Sequence, residues 1–127
     1  MVQKVFALLF VLMLTVTWIG RSAAQPPATG QVLRVFTTTV LPDKRDQQPK
    51  IVADITQLLS ATKGIQWFKV GWDAASGEIV AISLWSSRAE VDAFLKSDAR
   101  KALNEKNRPL MQGEPIAKQY QVSEAKK

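Results

Sequence analysis

The chain has 127 residues and a formal net charge of +6, and it contains neither cysteine nor histidine. Without cysteine, disulfides, zinc–thiolate sites, iron–sulfur clusters and a thiol nucleophile are excluded. Without histidine, no imidazole is present to bind a metal or haem or to act as a general acid or triad member. The length fits one small domain and excludes a multidomain enzyme.

The first 24 residues have the pattern of a removable export signal. Lys4 supplies a positive start, Val5–Ile19 is apolar, and Ser22–Ala24 provides the small residues that a signal peptidase needs. Because the apolar run is shorter than the roughly 20 residues that span a bilayer, we expect cleavage and export to a periplasm or the exterior, without stable membrane insertion. An uncleaved membrane tether is the alternative. Residues 25–30 are then a spacer, residues 31–123 the folded domain and residues 124–127 a basic tail.

The first half of the domain predicts a strand, a helix and a hairpin. Gln31–Leu41 is rich in β-branched and aromatic residues, which is typical of a strand. A helix is expected from Pro49, with Gly64 as its C-terminal cap. Ile65–Trp72 and Glu78–Trp85 are the next strands, and the turn chemistry of residues 73–77 between them predicts a hairpin.

The second half predicts two short helices and a last strand. Ser87 and Glu90 have the capping-box spacing, so a helix begins there. Ser97 offers a second cap, and the segment to about Asn107 is expected to be bent into two helices. Its basic residues are interleaved with acidic ones and lack stacking aromatics, which favours a solvated helix face over a nucleic-acid patch. A final strand alternates from Ile116 to Val122.

The predicted order is β-α-β-β-α-β over about 93 residues, which indicates a ferredoxin-like α+β fold with the helices on one face of an antiparallel sheet. The strand Glu78–Trp85 is apolar on both faces. Two helices cannot cover both sides of the sheet, so we expect a second copy to cover the other side in a homodimer. Packing of the N-terminal spacer or of loops against that face is the alternative.

The stretch from Ile82 to Asp98 resembles the hallmark segment of the antibiotic biosynthesis monooxygenase family, in which a strand ends in Trp and a capped helix follows. The resemblance implies a dimeric α/β barrel with a pocket between each sheet and its helices. It also implies an oxygenase that uses dioxygen without metal, flavin or any other cofactor. The substrate class implied is a quinol or another electron-rich aromatic compound.

The resemblance also gives candidate site residues. Trp85 matches the strand-end Trp of the family and is the candidate catalytic residue, as a dry wall and an N–H donor; a purely packing role is the alternative. Candidate substrate-binding residues are Thr38, Ala81, Ser83, Phe94, Asn104 and Tyr120. Asn104 stands where haem-degrading members carry a His, which argues against haem degradation. Tyr120 can also be explained as an ordinary packed residue.

Two functions remain open at this stage. The first is an exported, cofactor-independent monooxygenase that acts on an aromatic or quinol compound. The second is a non-catalytic exported dimer that binds a small hydrophobic ligand or a partner protein, because several acid–base groups of the family are missing. The same fold supports many functions, so the fold alone does not decide between them.

Overall fold

The computed structural model of the protein describes residues 28–124. The predicted export signal, the first part of the spacer and residues 125–127 lie outside the described residues. Within the described residues, no helix is both long enough and apolar enough to cross a membrane.

The elements follow the predicted order. They are β1 (Ala28–Thr39), a 3-10 helix (Pro42–Gln47), α1 (Gln48–Ser60), β2 (Ile65–Trp72), β3 (Glu78–Trp85), α2 (Arg88–Lys96), α3 (Asp98–Asn107), a second 3-10 helix (Arg108–Leu110) and β4 (Ile116–Ser123). The four strands form one sheet in the order β2-β3-β1-β4, and β3 pairs antiparallel with both β1 and β2. This is the ferredoxin-like α+β fold that the sequence predicts.

Local chemistry explains where α2 and α3 begin. The Ser87 hydroxyl accepts the backbone N–H of Glu90 at 3.3 Å, and the Ser97 hydroxyl accepts that of Arg100 at 3.3 Å. Each serine satisfies a donor that the first helical turn leaves without an intrahelical partner. The two predicted caps are therefore confirmed, and the bend between the helices lies at Ser97.

Two boundaries differ from the expectation. β1 begins at Ala28, before Gln31, because the Thr29 hydroxyl donates to the Val122 carbonyl at 3.1 Å and ties this end of β1 to β4. Gly64 does not cap α1, which ends at Ser60 with Ala61 as its C-cap. Gly64 instead ends the following turn at φ +93°, a conformation that favours glycine.

The two faces of the sheet have different surroundings. Cross-strand partners share a face, and the register pairs Arg34 with Ser83 and Phe36 with Ala81 on the face that meets the helices. Buried residues of α1 and α2 complete the core there, and Trp85 is fully buried in it. The other face, which we call the outer sheet face, is half-buried and apolar, with Leu33, Val35, Val80, Ile82 and Leu84 at its centre.

Candidate functional site

Two adjoining hollows lie between the helix-facing side of the sheet and helices α1 and α3. The inner hollow measures about 40 Å³ and the outer hollow about 210 Å³. Both are lined by Phe36, Ile55, Arg100, Leu103 and Asn104, so they form one continuous cleft. A narrow inner end that widens outward suits a small ligand with one compact group and one larger part.

Five of the predicted substrate-binding residues line this cleft. Ala81, Ser83 and Phe94 line the inner hollow, Thr38 lines the outer hollow, and Asn104 lines both. The first four lie on the helix-facing side of β1 and β3 or on α2, and Asn104 lies on α3. Phe94 forms an aromatic wall, and the small or polar side chains of the other four leave the space that larger core residues would fill.

Trp85 lies behind the wall of the cleft and lines neither hollow. Its side chain is fully buried, its ring centroid is 5.2 Å from that of Phe94, and its indole N–H donates to the Ser83 hydroxyl at 2.8 Å. The predicted N–H donor is therefore engaged within the protein. Trp85 contacts the site through Ser83 and Phe94, both of which line the inner hollow.

Tyr120 is placed away from the cleft. It lies on β4, is about half exposed (48%), and lines a different surface hollow with Gly30, Val32 and Arg88. β4 is an edge strand on the far side of β1, so it reaches neither β3 nor the wall formed by α3. The structure does not bring Tyr120 together with the other predicted residues.

Arg34 is absent from the predicted residues, yet it is the most unusual side chain in the cleft. It lines the inner hollow and is only 6% exposed. Its guanidinium carbon lies 5.6 Å from the centroid of the Phe36 ring and 5.8 Å from that of Phe94, and its Nε atom is buried without a hydrogen-bond partner. The signal available from sequence was a charged residue at an inward-facing position between Val32 and Phe36.

No acidic side chain within residues 28–124 neutralises Arg34. All 11 acidic residues of the chain fall within residues 28–124, and none of them forms an ion pair with Arg34. Burial, and secondly the positive charge of Arg100, lower the pKa of Arg34 from its ordinary value to about 10. Stacking on two aromatic rings attracts the cation but supplies no acceptor for its N–H groups.

Arg100 is the second cation of the cleft and lines both hollows. It is half-buried in the first turn of α3, and its Nη1 donates to the Leu95 carbonyl at 3.2 Å. The cap at Ser97 fixes the turn from which Arg100 extends. Leu103 and Asn104 follow three and four residues later, which places them on the same side of the helix.

Within residues 28–124, no group of three or more acidic, Cys or His side chains is arranged to hold a metal ion. In the same part of the chain, Glu114 is the only carboxylate residue that lines either hollow, and it lies in the outer one. The cleft therefore combines aromatic walls, three cations, two hydroxyls, two amides and one carboxylate.

Comparison with known proteins identifies the family. The family model for antibiotic biosynthesis monooxygenases matches residues 31–106. No curated protein sequence matches the chain.

Solved structures share the fold at low sequence identity. A protein from Caulobacter crescentus, described as belonging to the same family, is 19% identical with a TM-score of 0.65, and the match covers 76% of this chain and 92% of that chain. Rv0793 from Mycobacterium tuberculosis is 19% identical with a TM-score of 0.63, over 75% of this chain and 97% of that one. A variant of SnoaB, a cofactor-independent oxygenase from Streptomyces nogalater, is 13% identical with a TM-score of 0.62, over 76% and 96%.

The structural matches support only the fold, whereas the family model also covers the residues of the site. It covers more than half of the chain and contains every residue that lines the inner hollow. The chain therefore belongs to the antibiotic biosynthesis monooxygenase family.

Proposed function

We propose that this protein is a cofactor-independent monooxygenase that oxidises an electron-rich aromatic compound such as a quinol. Family membership supports the class of reaction. The observation that carries the proposal is the cleft, in which Phe36 and Phe94 flank Arg34, and Arg100 and apolar side chains of α1 complete the lining. Such a cleft can hold a flat ring and stabilise negative charge as it develops.

The substrate supplies all the electrons in this reaction. Its hydroxyl loses a proton, the resulting anion passes an electron to dioxygen, and the two radicals combine at a ring carbon that carries two hydrogens in its keto form. One oxygen atom stays on that carbon as a carbonyl, and the other leaves as water with the two hydrogens. No further reductant is needed.

The side chains of the cleft have separate tasks in this proposal. Ile55, Leu58 and Leu59 exclude water from the inner hollow, which strengthens the electrostatic interactions there. Arg34 and Arg100 hold negative charge that the substrate carries in the inner hollow. In the outer hollow, Glu114 is the carboxylate placed to accept the proton of the substrate.

A second candidate function is supported by the lining of the inner hollow. Among the described residues, no carboxylate and no tyrosine line it, so no side chain with an ordinary base function faces a ligand there. This composition favours a protein that binds an aromatic ligand without reacting with it. The two candidates make different predictions for dioxygen consumption.

The experiment is to mix the purified protein with a panel of quinols and follow dioxygen consumption together with ligand quenching of tryptophan fluorescence. We expect uptake above the buffer rate for at least one compound. Ala81→Phe, which fills the inner hollow, should abolish both uptake and quenching, whereas Ala93→Phe on the exposed side of α2 should retain both. Quenching without uptake would support the binding function and refute the oxygenase.

Export and assembly belong to the same proposal. The pattern of residues 1–24 supports export to a periplasm or the exterior, which N-terminal sequencing of the mature protein from that fraction would test. The apolar outer sheet face supports a homodimer in which two sheets cover each other.

A further inference from the structure

The inner hollow holds two positive charges that the chain itself does not neutralise. Arg34 is nine-tenths buried and forms no ion pair with any acidic residue, and Arg100 faces the same space. Burial, and secondly repulsion from Arg100, lower the pKa of Arg34. Buried charges are normally paired, because removing a charge from water destabilises the folded protein. A bound anion would supply the missing partner for both side chains.

We propose that the inner hollow recognises a carboxylate, so that the natural ligand is an aromatic acid held by Arg34 and Arg100. This proposal extends the proposed function. It rests on the proposed function for one point, which is that the ligand is aromatic. Recognition of the acid group does not require that any oxidation takes place.

A carboxylate fits the charge and geometry better than a phenol does. A phenol has a pKa of about 10 and arrives neutral at neutral pH, whereas a carboxylate arrives with a full negative charge. The planar guanidinium presents parallel N–H groups that match the two oxygens of a carboxylate. The Nε of Arg34 has no hydrogen-bond partner among the described residues, so no other group already holds this guanidinium.

The dimensions of the cleft also fit an aromatic acid. An inner hollow of about 40 Å³ holds roughly three water-sized groups, which corresponds to the three heavy atoms of a carboxylate. The outer hollow of about 210 Å³ is continuous with it and can hold a ring. Phe36 lines both hollows, so it is placed to contact the ring beside the acid group.

Ser83 provides a further donor, and Trp85 orients it. The Ser83 oxygen accepts the indole N–H of Trp85 at 2.8 Å, which leaves its own O–H free to donate to a ligand oxygen in the inner hollow. Trp85 is then a positioning residue that acts through Ser83. The Asn104 amide lies on the opposite wall and offers N–H groups from α3.

The test compares ligands that share a ring but differ in charge. Binding of 2-naphthoate, its neutral amide 2-naphthamide, and 2-naphthol is measured by titration calorimetry near pH 7.5 at fixed ionic strength. We expect 2-naphthoate to bind about 10- to 100-fold more tightly than 2-naphthamide, as is typical of hydrogen bonds to a charged group. Inorganic phosphate should compete only weakly, because it lacks the ring.

Three variants test which side chain causes the preference for 2-naphthoate over 2-naphthamide. Arg34→Met should abolish the preference for 2-naphthoate over 2-naphthamide, while Arg34→Lys should retain part of it because the charge remains. Arg88→Met is the matched control, since Arg88 is an exposed cation at the start of α2 that lines neither hollow, and its loss should leave the preference unchanged. Circular dichroism confirms that each variant is folded before the affinities are compared.

Each contrary result overturns a defined part of the proposal. Equal binding of 2-naphthoate and 2-naphthamide, or an unchanged preference in Arg34→Met, would refute the proposal that Arg34 recognises a carboxylate. Tighter binding of 2-naphthol than of 2-naphthoate, or phosphate binding as tight as that of 2-naphthoate, would refute the assignment of the natural ligand as an aromatic acid. Because no turnover is measured, selective 2-naphthoate binding by a protein that consumes no dioxygen would support this site and refute only the oxygenase.

Discussion

At the scale of single residues, Arg34 shows a conflict between stability and binding. Its neighbours on the same face of β1 are Val32 and Phe36, so an apolar residue there would extend the core. The protein instead keeps a buried cation whose charged form is disfavoured on folding. A residue that destabilises the free protein is expected where a ligand compensates for it.

The first prediction concerns the stability of Arg34→Met. The pKa of Arg34 in the folded protein is about 10, below its ordinary value, so the folded state disfavours the charged form at every pH below 10. The variant should therefore be more stable than the wild type at pH 7, by about 1 to 3 kcal/mol. As the pH rises through 10, the wild-type arginine loses its proton in the folded state and the difference should shrink. Urea unfolding at pH 7 and above pH 10 measures it, and a less stable variant at pH 7 would contradict the prediction.

The second prediction concerns the hydrogen bond between Trp85 and Ser83. In Ser83→Ala the fully buried indole N–H loses its acceptor, which should destabilise the protein by about 1 to 3 kcal/mol. In a Trp85→Phe background the same substitution should have a much smaller effect, because no donor remains to be satisfied. A double-mutant cycle of urea unfolding measures this coupling. Equal effects of Ser83→Ala in both backgrounds would show that the hydrogen bond contributes nothing.

At the scale of elements, the turn between α1 and β2 depends on the absence of a side chain at Gly64. A Cβ atom there would lie 2.5 Å from the Cβ of Glu90, which is fixed in the first turn of α2. The Ser86 N–H also donates to the Gly64 carbonyl at 2.9 Å, so the turn is tied to the end of β3. The turn before β2, the end of β3 and the first turn of α2 therefore meet at Gly64.

The third prediction compares two glycine variants. Gly64→Ala should destabilise the protein by more than about 1 kcal/mol, because the residue has φ +93° and its Cβ would clash. Gly30→Ala is the matched control: Gly30 has a similar φ of +80° but nothing within 4 Å of an added Cβ, so a smaller loss is expected. Thermal unfolding of both variants gives the comparison. Similar midpoints for the two variants would contradict the steric explanation.

At the scale of the whole molecule, the outer sheet face is the surface on which the proposed homodimer depends. Leu33, Val35, Val80, Ile82 and Leu84 are half-buried there, and Trp67 on β2 is 46% exposed. A contiguous apolar surface of this kind is typical of a protein interface. In the proposed homodimer, each copy covers this face of the other.

The fourth prediction is a mass near twice that of the mature chain in sedimentation at micromolar concentration. Ile82 pairs with Val35 and Lys69 across the sheet, so Ile82→Glu places a charge in the middle of the outer sheet face and should give a monomer. Ala93→Glu, on the exposed side of α2, should leave the mass unchanged. A monomeric wild type would refute the dimer.

Local sequence chemistry was sufficient to predict most of the fold. β2 and β3 have the predicted bounds, because their aromatic and branched residues are interrupted by turn residues at 73–77. The caps at Ser87 and Ser97 are contacts within four residues, so sequence spacing determines them. The family resemblance also selected Ala81, Ser83 and Phe94, which line the inner hollow.

The arrangement of charges and donors depended on contacts between distant parts of the chain. Whether Arg34 meets a carboxylate, or only Phe94 and Arg100, depends on the register of β1 against β3 and on how α3 packs over them. The strand order placed Tyr120 away from the cleft, and the packing of Trp85 directed its N–H to Ser83. Periodicity and capping act over a few residues and specify the elements, whereas a site is formed by side chains that only the folded core brings together.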